Sequence, residues 1–228
     1  LNPAALAVPA LALGGYWFWR YVWFFRNPPR RVPPGEHLVS PADGRVVYVR
    51  LTQGQEDIVL IKQGMAATLT DIVREEVAAP KIHVGIFMSP FDVHYNRIPL
   101  AGRVETVRHH PPQGQNRCMA PMHWRTLLKL PPYERNSRHL LCNERLVTRV
   151  QGEFKGRPFP YYIVQIAGKK VRGIDSFVQP GAEVLQGDIF GMIRIGSQVD
   201  LVAPYFPDLE ILVNPGAKVR AGETILIR

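Results

Sequence analysis

Charge is absent from Pro3 through Trp19, and Arg20 is the only charged residue between Pro3 and Phe25. As a helix such a run spans roughly 25 to 35 Å, which suits a short or tilted membrane crossing. Its second half, YWFWRYVWFF, bunches Tyr16, Trp17, Trp19, Tyr21 and Trp23, rings that favour the headgroup level of a bilayer. Arg26, Arg30 and Arg31 follow at once, and this basic excess predicts a cell-membrane location with the body on the cytoplasmic side. The competing placement is a helix packed on the protein itself or lying on a surface. A secretory signal fits worse, because no basic residue precedes the apolar run. The prolines of FFRNPPRRVPP stop a helix, so residues 1–31 are expected to form a hydrophobic helix with a basic linker and residues 32–228 the main domain.

Beyond Gly35 the pattern changes to short β-rich runs punctuated by Gly and Pro. Strands are predicted at Arg45 to Arg50, Asp57 to Lys62, Lys81 to Met88 and Tyr161 to Gly168. Helical periodicity is confined to Leu69 to Val77 and His123 to Leu130. VQPGAEVLQGD at Val178 to Asp188 recurs as VNPGAKVRAGE at Val213 to Glu223, and SPADGRVVYV at Ser40 has a weaker echo in IPLAGRVETV at Ile98. Each copy reads as a turn, a strand and a turn, similar to the hairpins of biotinyl- and lipoyl-domain proteins. The expected fold is mostly β, a barrel-sandwich of two related halves, with the N-terminal helix appended. Between His109 and His139 lies a proline-rich basic stretch whose only acid is Glu134. It reads either as a functional cover or as a solvated insertion.

Composition narrows the partners. Apolar residues make up 46% of the chain and charged residues 21%, enough for a core without staples. Cys118 and Cys142 are expected to be free thiols, and no Cys/His spacing suits zinc, so no metal is predicted. A net charge of +9 can serve nucleic acid, anionic lipid or no partner at all. No nucleic-acid-binding motif accompanies it, whereas the N-terminal run favours lipid.

Three short constellations carry candidate chemistry. SPADG places Asp43 in a turn ahead of a strand, an arrangement that turn chemistry alone also explains. FMSPFDVHYNRIP crowds Asp92, His94, Asn96 and Arg97 into six residues after an apolar strand. FGMIRIGSQVDLVAP interrupts a strand-like run with Gly196-Ser197. Such a step equally marks a bend. Under strain, though, the serine hydroxyl can take over the preceding acyl group, and a nearby base can then eliminate the upstream chain.

FFRNPPRRVPPGEHLVSPADGRVVYV, FMSPFDVHYNRIPLAGRVETV, the NER at Asn143, YYIVQIAGKKVR and FGMIRIGSQVDLVAP occur in one order that resembles the short form of the phosphatidylserine decarboxylase family. The resemblance runs from about Phe24 to the C-terminus and implies a pyruvoyl-dependent carboxy-lyase made as a proenzyme. On this reading Asp43, His94 and Ser197 form the self-cleavage set, with Asp43 orienting His94. The chain is cut between Gly196 and Ser197, and Ser197 becomes the pyruvoyl group. That carbonyl would take the serine amine of phosphatidylserine as a Schiff base, release CO₂ and leave phosphatidylethanolamine. The implied partners are a serine-headgroup phospholipid, an anionic membrane surface, the companion fragment of the same precursor and a second copy in a homodimer, but no nucleic acid. The same chemistry suits archaetidylserine, and the repeats admit a non-catalytic biotinyl- or lipoyl-like module. Three departures stand out, one of them the proline-rich loop after Val107. Arg97 occupies the place where longer relatives carry a second histidine, and VRGI at Val171 to Ile174 replaces the usual ARRI.

Overall fold

The computed structural model describes residues 3–53, 57–62, 65–77, 80–169, 173–194 and 196–228, and in it the β-rich runs pair into one dominant sheet. In chain order the strands are β1 (Leu38–Val39), β2 (Gly44–Thr52), β3 (Asp57–Lys62), β4 (Met65–Thr68), β5 (Lys81–Met88), β6 (Tyr95–Arg97), β7 (Gly102–His110) and β8 (Arg145–Phe154). They continue as β9 (Arg157–Ala167), β10 (Ile174–Ser176), β11 (Glu183–Val184), β12 (Ile189–Ile193), β13 (Ser197–Pro204), β14 (Lys218–Val219) and β15 (Ile225–Ile227). The helices are α1 (Pro3–Trp17), which runs on into a π-helical turn at Phe18–Trp23, α2 (Leu69–Val73), α3 (Ala120–Leu127) and α4 (His139–Cys142).

Eight strands in the order β11-β7-β8-β9-β13-β5-β2-β14 form the curled main sheet, antiparallel throughout. Both β5 and β13 are buried along their whole length, so the polar positions His83, Gln198 and Asp200 that alternate with apolar ones face protein rather than water. Ile82, Val84, Ile86, Val199, Leu201 and Ala203 pack on one face with Leu38, Ile98, Phe190, Ile193 and Leu226. Phe87, Tyr162, Val164, Ile166 and Val202 pack on the other beneath α2, Met119, Met122, Tyr133 and Leu140. The stretch from His109 to His139 is thus a built cover over the second face, not a solvated insertion.

The sequence repeats occupy opposite edges of this sheet in matching register. β14 pairs with β2 through Lys218↔Arg45 and Val219↔Gly44, while β11 pairs with β7 through Glu183↔Arg103 and Val184↔Gly102. The flanking bonds repeat as well: Val46 N–H donates to the Ala217 carbonyl at 2.9 Å, and Val104 N–H to the Ala182 carbonyl at 2.9 Å. Two related β halves therefore meet across the sheet.

Exposed side chains line most of α1 and the π-helical turn, including Val8, Leu11, Leu13, Trp17, Phe18 and Tyr21. No helix among the described residues is long and apolar enough to cross a membrane. The segment after the turn joins the main domain closely. Phe24 is fully buried, Arg26 Nη2 donates to the Phe91 carbonyl at 2.6 Å, and Arg97 Nη2 donates to Asn27 Oδ1 at 2.8 Å.

Candidate active site

Ser197 opens β13 at the centre of the main sheet, paired with Met88 of β5 on one side and Ala167 of β9 on the other. The residue is completely buried, and among the described residues its hydroxyl donates only to the Met88 thioether, at 3.5 Å. A thioether is a weak acceptor, so little holds this hydroxyl in place. Gly196 precedes it with φ +57°, a left-handed conformation, and the space where a Cβ would stand is open. The backbone conformation itself selects glycine here.

His94 follows the turn Ser89–Asp92, which is closed by Ser89 N–H donating to Asp92 Oδ2 at 2.8 Å. The imidazole is fully buried against the Phe24 ring, with centroids 4.3 Å apart. Its Nδ1 lies 2.9 Å from the Asp92 carbonyl oxygen, which can only accept, so Nδ1 carries the proton. Nε2 is then a buried lone pair with no hydrogen-bond partner among the described residues. Burial, aided by the charge of Arg26 and opposed by Asp92, pushes the imidazole down to about 4. It is therefore neutral at pH 7, the protonation state of a base.

The segment that carries His94 meets the one that carries Ser197. β6 pairs with β12, and Ile193 N–H donates to the His94 carbonyl at 3.4 Å. Asn96 Nδ2 contacts the same Met88 sulfur as Ser197, at 3.6 Å, and Asn96 Oδ1 accepts from Gln165 Nε2 at 2.8 Å.

Asp43 is placed differently from the sequence expectation that it orients His94. Its Oδ2 pairs with Arg30 at 2.8 Å, and its Oδ1 accepts the Ala221 N–H at 2.8 Å. Arg30 in turn reaches Glu223 at 3.2 Å. The carboxylate thus ties together the N-terminal linker, the SPADG turn and the C-terminal segment, while a backbone carbonyl orients the histidine. No hydrogen bond joins Asp43, His94 and Ser197 to one another.

Two cavities open beside the strand start. One, of about 220 Å³, is lined by Phe87, Cys118, Met119, His123, Lys169 and Gly196. The second, of about 350 Å³, lies between Arg45, Phe91, Asp92, His123, Leu127 and Lys218. His123 lines both, and its Nδ1 is buried without a partner. Sequence reading marked its loop but not this residue, since nothing in the local pattern distinguishes it from a surface histidine. A larger groove of about 760 Å³, between Arg97, Phe177 and Asp188, contains none of Asp43, His94 and Ser197.

On the opposite face of β13 the odd–even alternation presents Gln198 and Asp200 to a sealed polar network. Tyr48 Oη donates to Asp200 Oδ2 at 2.8 Å, Gln198 Nε2 donates to Asp200 Oδ1 at 2.7 Å, and His83 Nε2 lies 3.1 Å from Asp200 Oδ2. His139 Nε2 completes it against Gln198 Oε1 at 2.9 Å. Burial, then the Asp200 carboxylate, raises the Tyr48 phenol well above its ordinary value.

The sequence model of the family described as phosphatidylserine decarboxylase matches residues 17–227. A putative archaetidylserine decarboxylase proenzyme of Methanopyrus kandleri is 38% identical over 90% of this chain and 80% of its own length. A protein of the same description from Halobacterium salinarum is 33% identical over 100% of this chain and 94% of its own. The phosphatidylserine decarboxylase proenzyme of Chlorobaculum tepidum is 35% identical over 99% of this chain and 84% of its own.

Proposed function

The chain belongs to the phosphatidylserine decarboxylase family, and from that premise we propose that it cuts itself between Gly196 and Ser197 and then decarboxylates phosphatidylserine to phosphatidylethanolamine. The observation that carries this reading is the conjunction at the start of β13. A left-handed glycine precedes a buried, weakly held serine hydroxyl, and the neighbouring segment holds a neutral histidine with a free Nε2.

In the first step the Ser197 hydroxyl adds to the Gly196 carbonyl carbon, the C–N bond breaks, and the proton passes to the freed amine, leaving an ester. His94 Nε2 then accepts the Ser197 α-proton. The Cβ–Oγ bond breaks with the Gly196 carboxylate as leaving group. The dehydroalanine that remains tautomerises to an imine, and water replaces its nitrogen with oxygen, releasing ammonia. Residues 1–196 end in a carboxylate, and residues 197–228 begin with a pyruvoyl group.

The residues present suit such a group. It replaces a buried residue whose hydroxyl has a single weak partner, so its formation strands no strong hydrogen bond. Its carbonyl supplies the electron sink that ordinary side chains lack when CO₂ leaves an α-amino acid. Gly196 borders the smaller cavity, and Lys169, Arg45 and Lys218 give the two cavities the positive charge that a phosphodiester and a carboxylate require. His123, which borders both cavities, is the side chain best situated to exchange a proton with a bound headgroup. Phe87, Met119 and Leu127 supply apolar walls for the adjoining glycerol and chain carbons.

Archaetidylserine is the second reading, favoured by the names of the Methanopyrus kandleri and Halobacterium salinarum relatives. The reacting headgroup is shared, so the choice rests on the tails. Assays with both lipids measure the choice directly. For the mechanism, denaturing mass spectrometry of the wild-type chain is expected to give two fragments, the smaller with a ketone-blocked N-terminus. Ser197→Ala gives one uncut chain without activity, and His94→Ala stays uncut or fails to decarboxylate. Mature-sized fragments with normal turnover from Ser197→Ala would refute the proposal.

A further inference from the structure

The 109–139 cover carries an outward apolar face that extends beyond the cavity wall at Leu127. On and just after α3, Trp124, Leu127, Leu128 and Leu130 are exposed by 58%, 60%, 60% and 50%. Met122 and Thr126, on the opposite side of the same helix, are buried. A helix that buries one side and turns Trp and Leu outward on the other has a second apolar environment to satisfy.

Three observations identify that environment. The first is continuity. Leu127 and Phe91 line the same 350 Å³ cavity, Phe91 lies 6.5 Å from the Trp19 ring, and Trp19 belongs to the exposed aromatic turn that follows α1. Apolar surface therefore runs from the N-terminal helix across Phe91 to α3, with the cavity opening between the two lips. The second is charge. Arg125 and Lys129 interleave with the exposed apolar residues, Arg45 and Lys218 stand at the cavity, and the chain carries a net +9. The third is rigidity: Arg125 Nε donates to the Pro132 carbonyl at 2.7 Å and Nη2 to the Pro131 carbonyl at 3.1 Å, so the exposed tip is braced.

We propose that α3 and its extension to Leu130 form a second membrane-docking element. It inserts Trp124, Leu127, Leu128 and Leu130 into an anionic bilayer, so that the 350 Å³ cavity, which shares Phe87 and His123 with the cavity beside Gly196, opens at headgroup level between α3 and the N-terminal helix. This deepens the lipid-decarboxylase reading by assigning the route by which a diacyl substrate reaches the site without passing through water.

The test is optical and needs no turnover. Changing Trp17, Trp19 and Trp23 to Phe in the full chain leaves Trp124 as the sole indole. Its emission is expected to shift to the blue in vesicles of phosphatidylcholine mixed with phosphatidylglycerol, and to be quenched by chain-brominated phosphatidylcholine in them. Leu128→Glu with Leu130→Glu weakens vesicle binding about tenfold or more. The double variant also raises KM for vesicle substrate while leaving turnover of a dissolved short-chain lipid near wild type. Unquenched Trp124 on vesicle-bound protein overturns the proposal. So does a blue shift that follows protein concentration rather than vesicles, which would assign the face to a second copy. The Trp124 readout persists in Ser197→Ala, so failure of the decarboxylase reading leaves it standing and the two fail separately.

Discussion

At Gly85 the missing side chain is a space requirement. A Cβ there would lie 2.4 Å from the ring of Tyr48, whose hydroxyl enters the sealed network behind β13. Gly85→Ala must move either the ring or the strand, at a cost of about 1 to 3 kcal/mol. Thermal or urea unfolding is expected to record a loss of that size. Histidines make a second residue-scale prediction. Burial leads the causes that push His94 and His139 each down to about 4 from an ordinary 6.5. As pH falls below 6.5 the unfolded chain takes up these protons while the folded chain does not, so stability falls with pH until about 4, where the folded form is protonated too. Urea titrations are expected to lose on the order of 2 kcal/mol per histidine between about pH 7.5 and 5. His139→Gln should remove its share of that slope. The same lowering leaves His94 unprotonated near neutrality, so the rate of self-cleavage is expected to be flat from about pH 6 to 8 and to decline only in more acid buffer.

Elements show which parts of the molecule were legible in the chain. Lys81 to Met88 was readable as a strand because an apolar run of that length between Pro80 and a Ser-Pro turn has few other solutions. β9 begins earlier than its Tyr161 expectation, at Arg157, and includes Pro158 and Pro160. Its pairing with β13 stops at Tyr162, so these prolines lie where β9 has β8 as its only neighbour, an edge that tolerates a missing N–H. Local pattern cannot reveal how far a partner strand reaches. For the same reason the sequence displayed Asp43 and His94 but not their partners. Arg30 and Glu223, which form one cluster with Asp43, are 193 residues apart, and the carbonyl that orients His94 belongs to the backbone. Gln198 and Asp200 alternate with apolar positions as on the wet side of a strand; the folded cover, with His139, explains why they are buried.

For the whole molecule, the matching edges β14·β2 and β11·β7 show why a repeat detectable in the chain yields one sheet with one site. The halves supply frame, and the unrepeated stretches carry the proposed chemistry: the Ser89–Arg97 segment, the 109–139 cover and the start of β13. Asp43 spans the proposed break in this frame, since it binds Arg30 upstream and Ala221 downstream. The two fragments are expected to co-elute under native conditions and part only in denaturant, as size-exclusion chromatography before and after urea will show. Asp43→Ala should weaken that association while leaving the His94 environment in place.

The central position of β13 also dictates a rate law. Its first residue is wholly enclosed and paired along both flanks, so the side chains of a neighbouring protein molecule do not reach the Ser197 hydroxyl. The proposed self-cleavage is then expected to be unimolecular, with a half-life that does not change on dilution, and a cleaved copy is not expected to convert an uncut one mixed with it.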